Sequence, residues 1–223
     1  MVHGAWHGAW CWEKLLPFLG NLDVTARALD LPSVHDRVET QAVIGADAEA
    51  VRNFIDTIPG QIVLCGHSYG GMAITHPVAG THPRVKRLIY LCAYMLDSGE
   101  SPADFRSEPD RPHVIVDENG MMMPDMTSVA ERFFGDCDLE SQQWAMQRLR
   151  AMPTPMDKLP GAAWRSVPST YIVCTQDRAI SLRLQREVFA PRAQQVFEMA
   201  TSHSPFLSQP GALAELLAAS LKA

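Results

Sequence analysis

Three short apolar runs, bounded by turn formers and lacking any polar alternation, constrain this 223-residue chain more than any other feature. They are Gln61-Ile62-Val63-Leu64-Cys65 ahead of Gly66, Arg87-Leu88-Ile89-Tyr90-Leu91-Cys92, and Ser169-Thr170-Tyr171-Ile172-Val173-Cys174. A strand with one wet face alternates; a strand without alternation is covered on both faces. Residues 24–28 and 195–198 are weaker strand candidates. Amphipathic stretches lie between the runs, at 46–58, 182–189 and 211–221. The first puts Ala50, Val51, Phe54, Ile55 and Ile58 on one helical stripe. Strands that alternate with helices predict an α/β fold, a mostly parallel central sheet flanked by helices.

The first run leads straight into Gly66-His67-Ser68-Tyr69-Gly70-Gly71, which is Gly-x-Ser-x-Gly between a buried strand and a helix of small residues. In this strand–turn–helix context the serine sits in a strained turn with its hydroxyl projecting from the sheet. Side chains two residues away on either side would collide with the neighbouring elements, so both positions are glycine. A serine hydroxyl needs a base to remove its proton, and the base needs an acid to orient it. His203, in Thr201-Ser202-His203-Ser204-Pro205-Phe206, follows the strand candidate 195–198 and is the expected base. His76 and His82 follow the elbow helix and read as surface or packing residues. Asp177 follows the third run and is the expected acid; Asp97, beyond the second run, is its rival. Asp177 could instead cap the helix 182–189, but Ser181 already stands at that position. The N-terminal loop His3-Gly4-Ala5-Trp6-His7-Gly8-Ala9-Trp10 offers backbone N–H groups that, with that of Tyr69, would form an oxyanion hole. Its alternative role is a tryptophan-rich plug at the sheet end.

The alternating pattern stops between residues 97 and 167. That stretch has no strong strand and holds seven of the eleven methionines. It is too long for an ordinary loop, so it predicts a small, mainly helical cap at 97–167 inserted into a core made of 1–96 and 168–223. Methionines suit a plastic apolar lining for an acyl pocket, although any single one serves equally as core filler. Lys and Arg number 19 against 25 Asp and Glu, a net charge of −6, with no basic run. This argues against nucleic-acid binding. No apolar stretch approaches the roughly 20 residues of a membrane span. No leader pattern opens the sequence. Five cysteines at scattered spacing read as reduced thiols in a cytoplasmic protein, and no spacing suggests a metal site. A homodimer stays open.

Taken together, Val2-His3-Gly4-Ala5-Trp6-His7-Gly8-Ala9-Trp10-Cys11-Trp12, the elbow, Leu91-Cys92-Ala93-Tyr94, Cys174-Thr175-Gln176-Asp177 and Ser202-His203-Ser204-Pro205-Phe206 resemble the α/β-hydrolase superfamily. More narrowly they resemble its branch of plant methylesterases, hydroxynitrile lyases and bacterial esterase relatives. The resemblance implies a catalytic triad of Ser68, Asp177 and His203, an oxyanion hole from the N–H groups of Ala5 and Tyr69, no cofactor or metal, and a small ester as substrate. Two departures stand out. Family members carry one or more strands before the His-Gly loop, so an incomplete N-terminus, or a lost central strand, is expected here. The lyases carry a lysine after the base histidine and a threonine in the loop, where this chain has Ser204 and Gly4. Ester hydrolysis is therefore expected over C–C bond cleavage, the alternatives being a lyase and a non-catalytic ligand-binding protein on the same fold.

Overall fold

The structure, a computed structural model, describes residues 1–35, 42–105 and 114–221. Seven strands form two sheets among them. In chain order they are β1 (Ile62–His67), β2 (Val85–Leu91), β3 (Val114–Val116), β4 (Met121–Pro124), β5 (Met152–Pro153), β6 (Ser169–Cys174) and β7 (Gln195–Met199). The main sheet runs β1-β2-β6-β7 with every pair parallel, in register at Cys65↔Ile89, Tyr90↔Tyr171 and Cys174↔Met199. The three apolar runs are thus the first three strands of the order as read from β1, and every residue of β6 is buried. Because the strands are parallel, their C-terminal ends share one edge, where parallel sheets flanked by helices place their sites.

Beside β1, Val2 bridges Gly66 on one side and Leu29 on the other. Its N–H donates to the Cys65 carbonyl at 2.8 Å, and its carbonyl accepts from His67 N–H at 3.0 Å. That single rung fixes the loop that follows at the sheet edge. The expected strand at 24–28 does not form: only Leu29 reaches Val2, and one rung does not make a ladder.

The helices hold the sheet from both faces. Val43–Asp56 buries Val43, Ile44, Ala48, Val51 and Ile55; of the stripe expected from the sequence only Val51 and Ile55 are fully buried, while Ala50, Phe54 and Ile58 are half-buried, because the earlier start brings Val43, Ile44 and Ala48 onto the inner face. It starts earlier than 46 because the Asp157 carboxylate accepts from the N–H groups of Val43 and Ile44 at 3.1 and 2.9 Å. A carboxylate at a helix N-terminus satisfies otherwise orphaned donors and complements the helix dipole. The last helix, Pro210–Ser220, covers the expected stretch. The stretch 182–189 is helical and Ser181 Oγ accepts from Leu184 N–H at 3.2 Å, but Leu184–Phe189 winds as a π-helix.

Between β2 and β6, the helices Val129–Phe134 and Leu139–Met146 are joined by the antiparallel sheet β3-β4-β5. This small sheet was not expected from a segment read as lacking strong strands. Residues 106–113 of the 97–167 segment lie outside the described residues. Among the described residues no helix is long and apolar enough to cross a membrane.

Candidate active site

The three residues expected to do chemistry each follow a strand of the main sheet. Ser68 comes directly after β1, Asp177 after β6, and His203 after β7. Ser68 has φ +51°, in the left-handed region that a non-glycine residue enters only under constraint. The constraint is visible on both sides. A Cβ at Gly66 would lie 2.7 Å from the Gly70 carbonyl oxygen, and one at Gly70 would lie 2.5 Å from that of His3. The elbow can close only with glycine at both positions, as the spacing predicted.

His203 Nδ1–H donates to Asp177 Oδ2 at 2.8 Å, with both side chains buried. A carboxylate only accepts, so this bond fixes the proton on Nδ1 and leaves Nε2 as the basic nitrogen. Asp177 Oδ1 accepts from Ala179 and Ile180 N–H at 2.7 and 3.0 Å. Ser68 and His203 line one cavity of about 90 Å³. The rival acid is elsewhere: Asp97 pairs with Arg165, and that hydrogen bond holds its carboxyl below the usual range. His76 Nδ1 caps a short helix by accepting from Val78 N–H, and His82 sits 3.2 Å from Asp56, so neither reaches the site.

Ala5 and Tyr69 line the same cavity. Each of their N–H groups shares a rigid peptide plane with the preceding carbonyl, so pinning that carbonyl aims the N–H. The Gly4 carbonyl, in the plane of Ala5 N–H, accepts from His3 Nδ1–H at 2.8 Å, while His3 Nε2 accepts from Leu31 N–H. The Ser68 carbonyl, in the plane of Tyr69 N–H, accepts from both Gly71 and Tyr94 N–H at 3.1 Å. Among the described residues no backbone carbonyl accepts from Ala5 or Tyr69 N–H. Both N–H groups thus belong to peptide planes held in place beside the cavity that Ser68 lines. The Tyr69 phenol is turned away from that space, where it donates to the buried Asp47 at 2.7 Å; burial raises its pKa well above the ordinary value.

Sequence reasoning gave no role to His3, His7, His67 and Gln185, all buried around these atoms. His7 Nδ1–H donates to the Ala5 carbonyl at 2.7 Å, and His67 Nε2–H to the His203 carbonyl at 2.9 Å. Burial drives His7 down to about 3 and His67 well below the ordinary imidazole value, with the neighbouring histidines adding to both shifts. Both are neutral props across the physiological range. His67, Cys92 and His203 converge closely enough to be considered for a metal, but His67 Nε2 and Cys92 Sγ already face the His203 carbonyl and His203 Nδ1 serves Asp177. Burial also pushes the Cys92 thiol far up, away from the thiolate a metal would need.

The segment between β2 and β6 closes the cavity with Val114, Met122, Phe133, Thr154 and Pro155. Of its seven methionines only Met122 reaches this lining; Met152 is fully buried elsewhere and Met126 and Met156 face solvent. A methionine-lined pocket is thus not what the segment builds. Trp6, at φ +64°, ties the segment to the loop: its indole N–H donates to the Met122 carbonyl at 3.0 Å, and its own carbonyl accepts from Arg150 N–H at 2.9 Å. No Lys or Arg lines the cavity among the described residues. Arg178 is exposed and paired with Glu131, and Ser204 is buried outside the lining. A Cβ at Gly4 would lie 2.9 Å from Ser68 Cβ and 2.8 Å from His67 Nδ1, so this backbone has no room for a threonine there.

A parallel sheet with a serine elbow on one strand and a bonded acid–histidine pair on two others defines a hydrolase architecture, and residues 1–216 match the alpha/beta hydrolase family model. The chain belongs to that family. It is 30% identical to a pyrethroid hydrolase of Sphingobium wenxiniae, over 98% of this chain and 85% of that protein. It is 27% identical to a methylesterase of Arabidopsis thaliana, over 98% and 94%. Its structure superposes on that of a pyrethroid hydrolase from Sphingobium faniae with a TM-score of 0.84 at 26% identity, covering 100% and 96% of the two chains. Family and fold agree with the resemblance drawn from the motifs.

Proposed function

We propose that this chain is a serine esterase that cleaves a small, neutral carboxylic ester through an acyl-enzyme. The observation that carries the reading is the buried Asp177–His203 pair opening, with Ser68, onto one apolar cavity free of cationic side chains among the described residues. His203 Nε2 takes the Ser68 proton as Oγ adds to the ester carbonyl carbon. The carbonyl oxygen becomes an oxyanion held by the N–H groups of Ala5 and Tyr69. When the tetrahedral intermediate collapses, the carbon–oxygen bond to the alcohol breaks and His203 returns the proton to the departing alkoxide. Water, deprotonated by His203, then adds to the acyl carbon and releases the acid and Ser68. Asp177 keeps the imidazole in the working tautomer and offsets its charge. Residues 97–167 act as a cap whose apolar lining selects the ester. Methylesterase and pyrethroid hydrolase relatives support an ester as substrate.

A cyanohydrin lyase needs a cation to stabilise departing cyanide, and the absence of one from the described lining speaks for ester hydrolysis. Five free buried cysteines suit a reducing, cytoplasmic setting. The test is one preparation assayed with a 4-nitrophenyl ester, a methyl ester and mandelonitrile, using Ser68→Ala as the blank. Ester turnover that vanishes in the blank, with a fluorophosphonate adduct on the Ser68 peptide, is expected. Ser68-dependent cyanide release without ester turnover would overturn the reading.

A further inference from the structure

Gln185 is fully buried and takes no part in the mechanism above, yet each of its polar atoms is committed. Its Nε2–H donates to Asp177 Oδ2 at 2.9 Å and to the Ile180 carbonyl at 2.8 Å, and its Oε1 accepts from Cys174 N–H at 3.0 Å. These three partners are the last residue of β6, the acid itself and the end of the loop that carries it. One neutral amide therefore spans the loop 174–180 and touches the same carboxylate oxygen that His203 uses. Gln185 lies within the π-helical stretch Leu184–Phe189, a winding that occurs mostly as single turns at functional sites.

Resting on the esterase reading, we propose that Gln185 is a positioning residue that holds Asp177 Oδ2 in line with His203 Nδ1–H. Oδ1 is already fixed by two backbone N–H groups. Among the described residues the donors to Oδ2 are two side chains, His203 and Gln185. The imidazole must carry charge and give it up in every cycle, so the oxygen it leans on needs a donor that does not titrate. An amide supplies this, and it adds no charge that would compete with the imidazolium for the carboxylate. Gln185 does not line the cavity, so its loss acts on the chemical step and leaves ester binding alone.

The experiment uses the full chain with Gln185→Met and Gln185→Glu beside Asp177→Asn. Methionine keeps the length and removes every polar contact. Glutamate keeps an acceptor for Cys174 N–H and, in its ionised form, removes the donor to Asp177. Hydrogen bonds to charged groups are worth enough to predict a fall in kcat of about 10- to 100-fold in both variants. KM should stay within about twofold, because uniform binding is untouched. The low-field proton signal of His203 Nδ1–H should shift or broaden in both. Should either variant unfold, the other and the proton spectrum still decide. Wild-type kcat and an unchanged low-field signal in folded Gln185→Met, or in folded Gln185→Glu at a pH where the glutamate is ionised, would overturn the positioning role, even with a lowered melting temperature. Full activity in Asp177→Asn would instead overturn the esterase reading itself, so the two failures are distinguishable.

Discussion

The two walls of the cavity are built by different means. On the sheet side the groups that hold the site are set by directional hydrogen bonds: the Ser68 carbonyl has two main-chain donors, and Asp177 has four donors from the main chain and from buried side chains. On the cap side the lining is apolar side chains, such as Met122 and Phe133, whose positions rest on packing; Phe133 stacks on Trp6 at 5.6 Å. Directional contacts fix geometry to fractions of an ångström, whereas packing fixes volume and tolerates exchange. Changes on the sheet side should therefore act on turnover, and changes on the cap side on the choice of ester.

The largest expected effect is that of Ser68→Ala, which should lower ester turnover by about 10⁶-fold relative to wild type. Retained turnover above a tenth of wild type would remove the sheet side from the chemistry altogether. Asp177→Asn should cost about 10⁴-fold in kcat with folding intact, because the amide favours the wrong imidazole tautomer. Circular dichroism alongside kinetics checks both halves of that statement. Gly4→Ala should cost about 10²-fold in kcat, since a Cβ 2.9 Å from Ser68 Cβ displaces the nucleophile or the loop that aims Ala5 N–H. A crystal structure of this variant with unmoved Ser68 would contradict the cause.

The neutral props give a pH prediction for stability. His7 and His67 are buried uncharged, with folded values depressed from 6.5, that of His7 to about 3. The unfolded chain takes up their protons first, so stability is complete above 6.5 and is lost as pH falls from there toward 3. For His7 the loss is about 1.4 kcal/mol per pH unit within that window, and His67 adds to it in the same direction. Urea midpoints at pH 7, 6 and 5 measure it, and His7→Phe should flatten the slope. The smallest effect belongs to the cap: Met122→Ala should leave kcat for a short ester within about threefold. It should also shift preference toward longer acyl chains by about tenfold in kcat/KM. A chain-length series read on both proteins decides that point.

The same contrast explains what could be read from the residues. The three apolar runs became β1, β2 and β6 because burial on both faces leaves a signature in the sequence itself. Ser68, Asp177 and His203 were legible because each follows a strand. The short cap strands were not: Val114–Val116 and Met152–Pro153 have no length to show a period and exist through their pairing with Met121–Pro124. Residues 24–28 failed for the opposite reason, a strand-like composition with a single rung to pair with. The roles of His3, His67 and Gln185 depend on partners up to 136 positions away or on the tautomer of one ring, and nothing local in the sequence announces them.

The clasp at Trp6 has a consequence for anyone who would graft a different cap onto this core. The indole grips a carbonyl at position 122 and the Trp6 carbonyl is gripped by an amide at position 150; neither contact consults the side chain found there. A chimera is therefore free to rewrite the side chains at 122 and 150. It must reproduce the path of the main chain at those two points, because Trp6 adjoins Ala5, and a transplant that misplaces either one detunes the reaction centre even when the new pocket fits its ester.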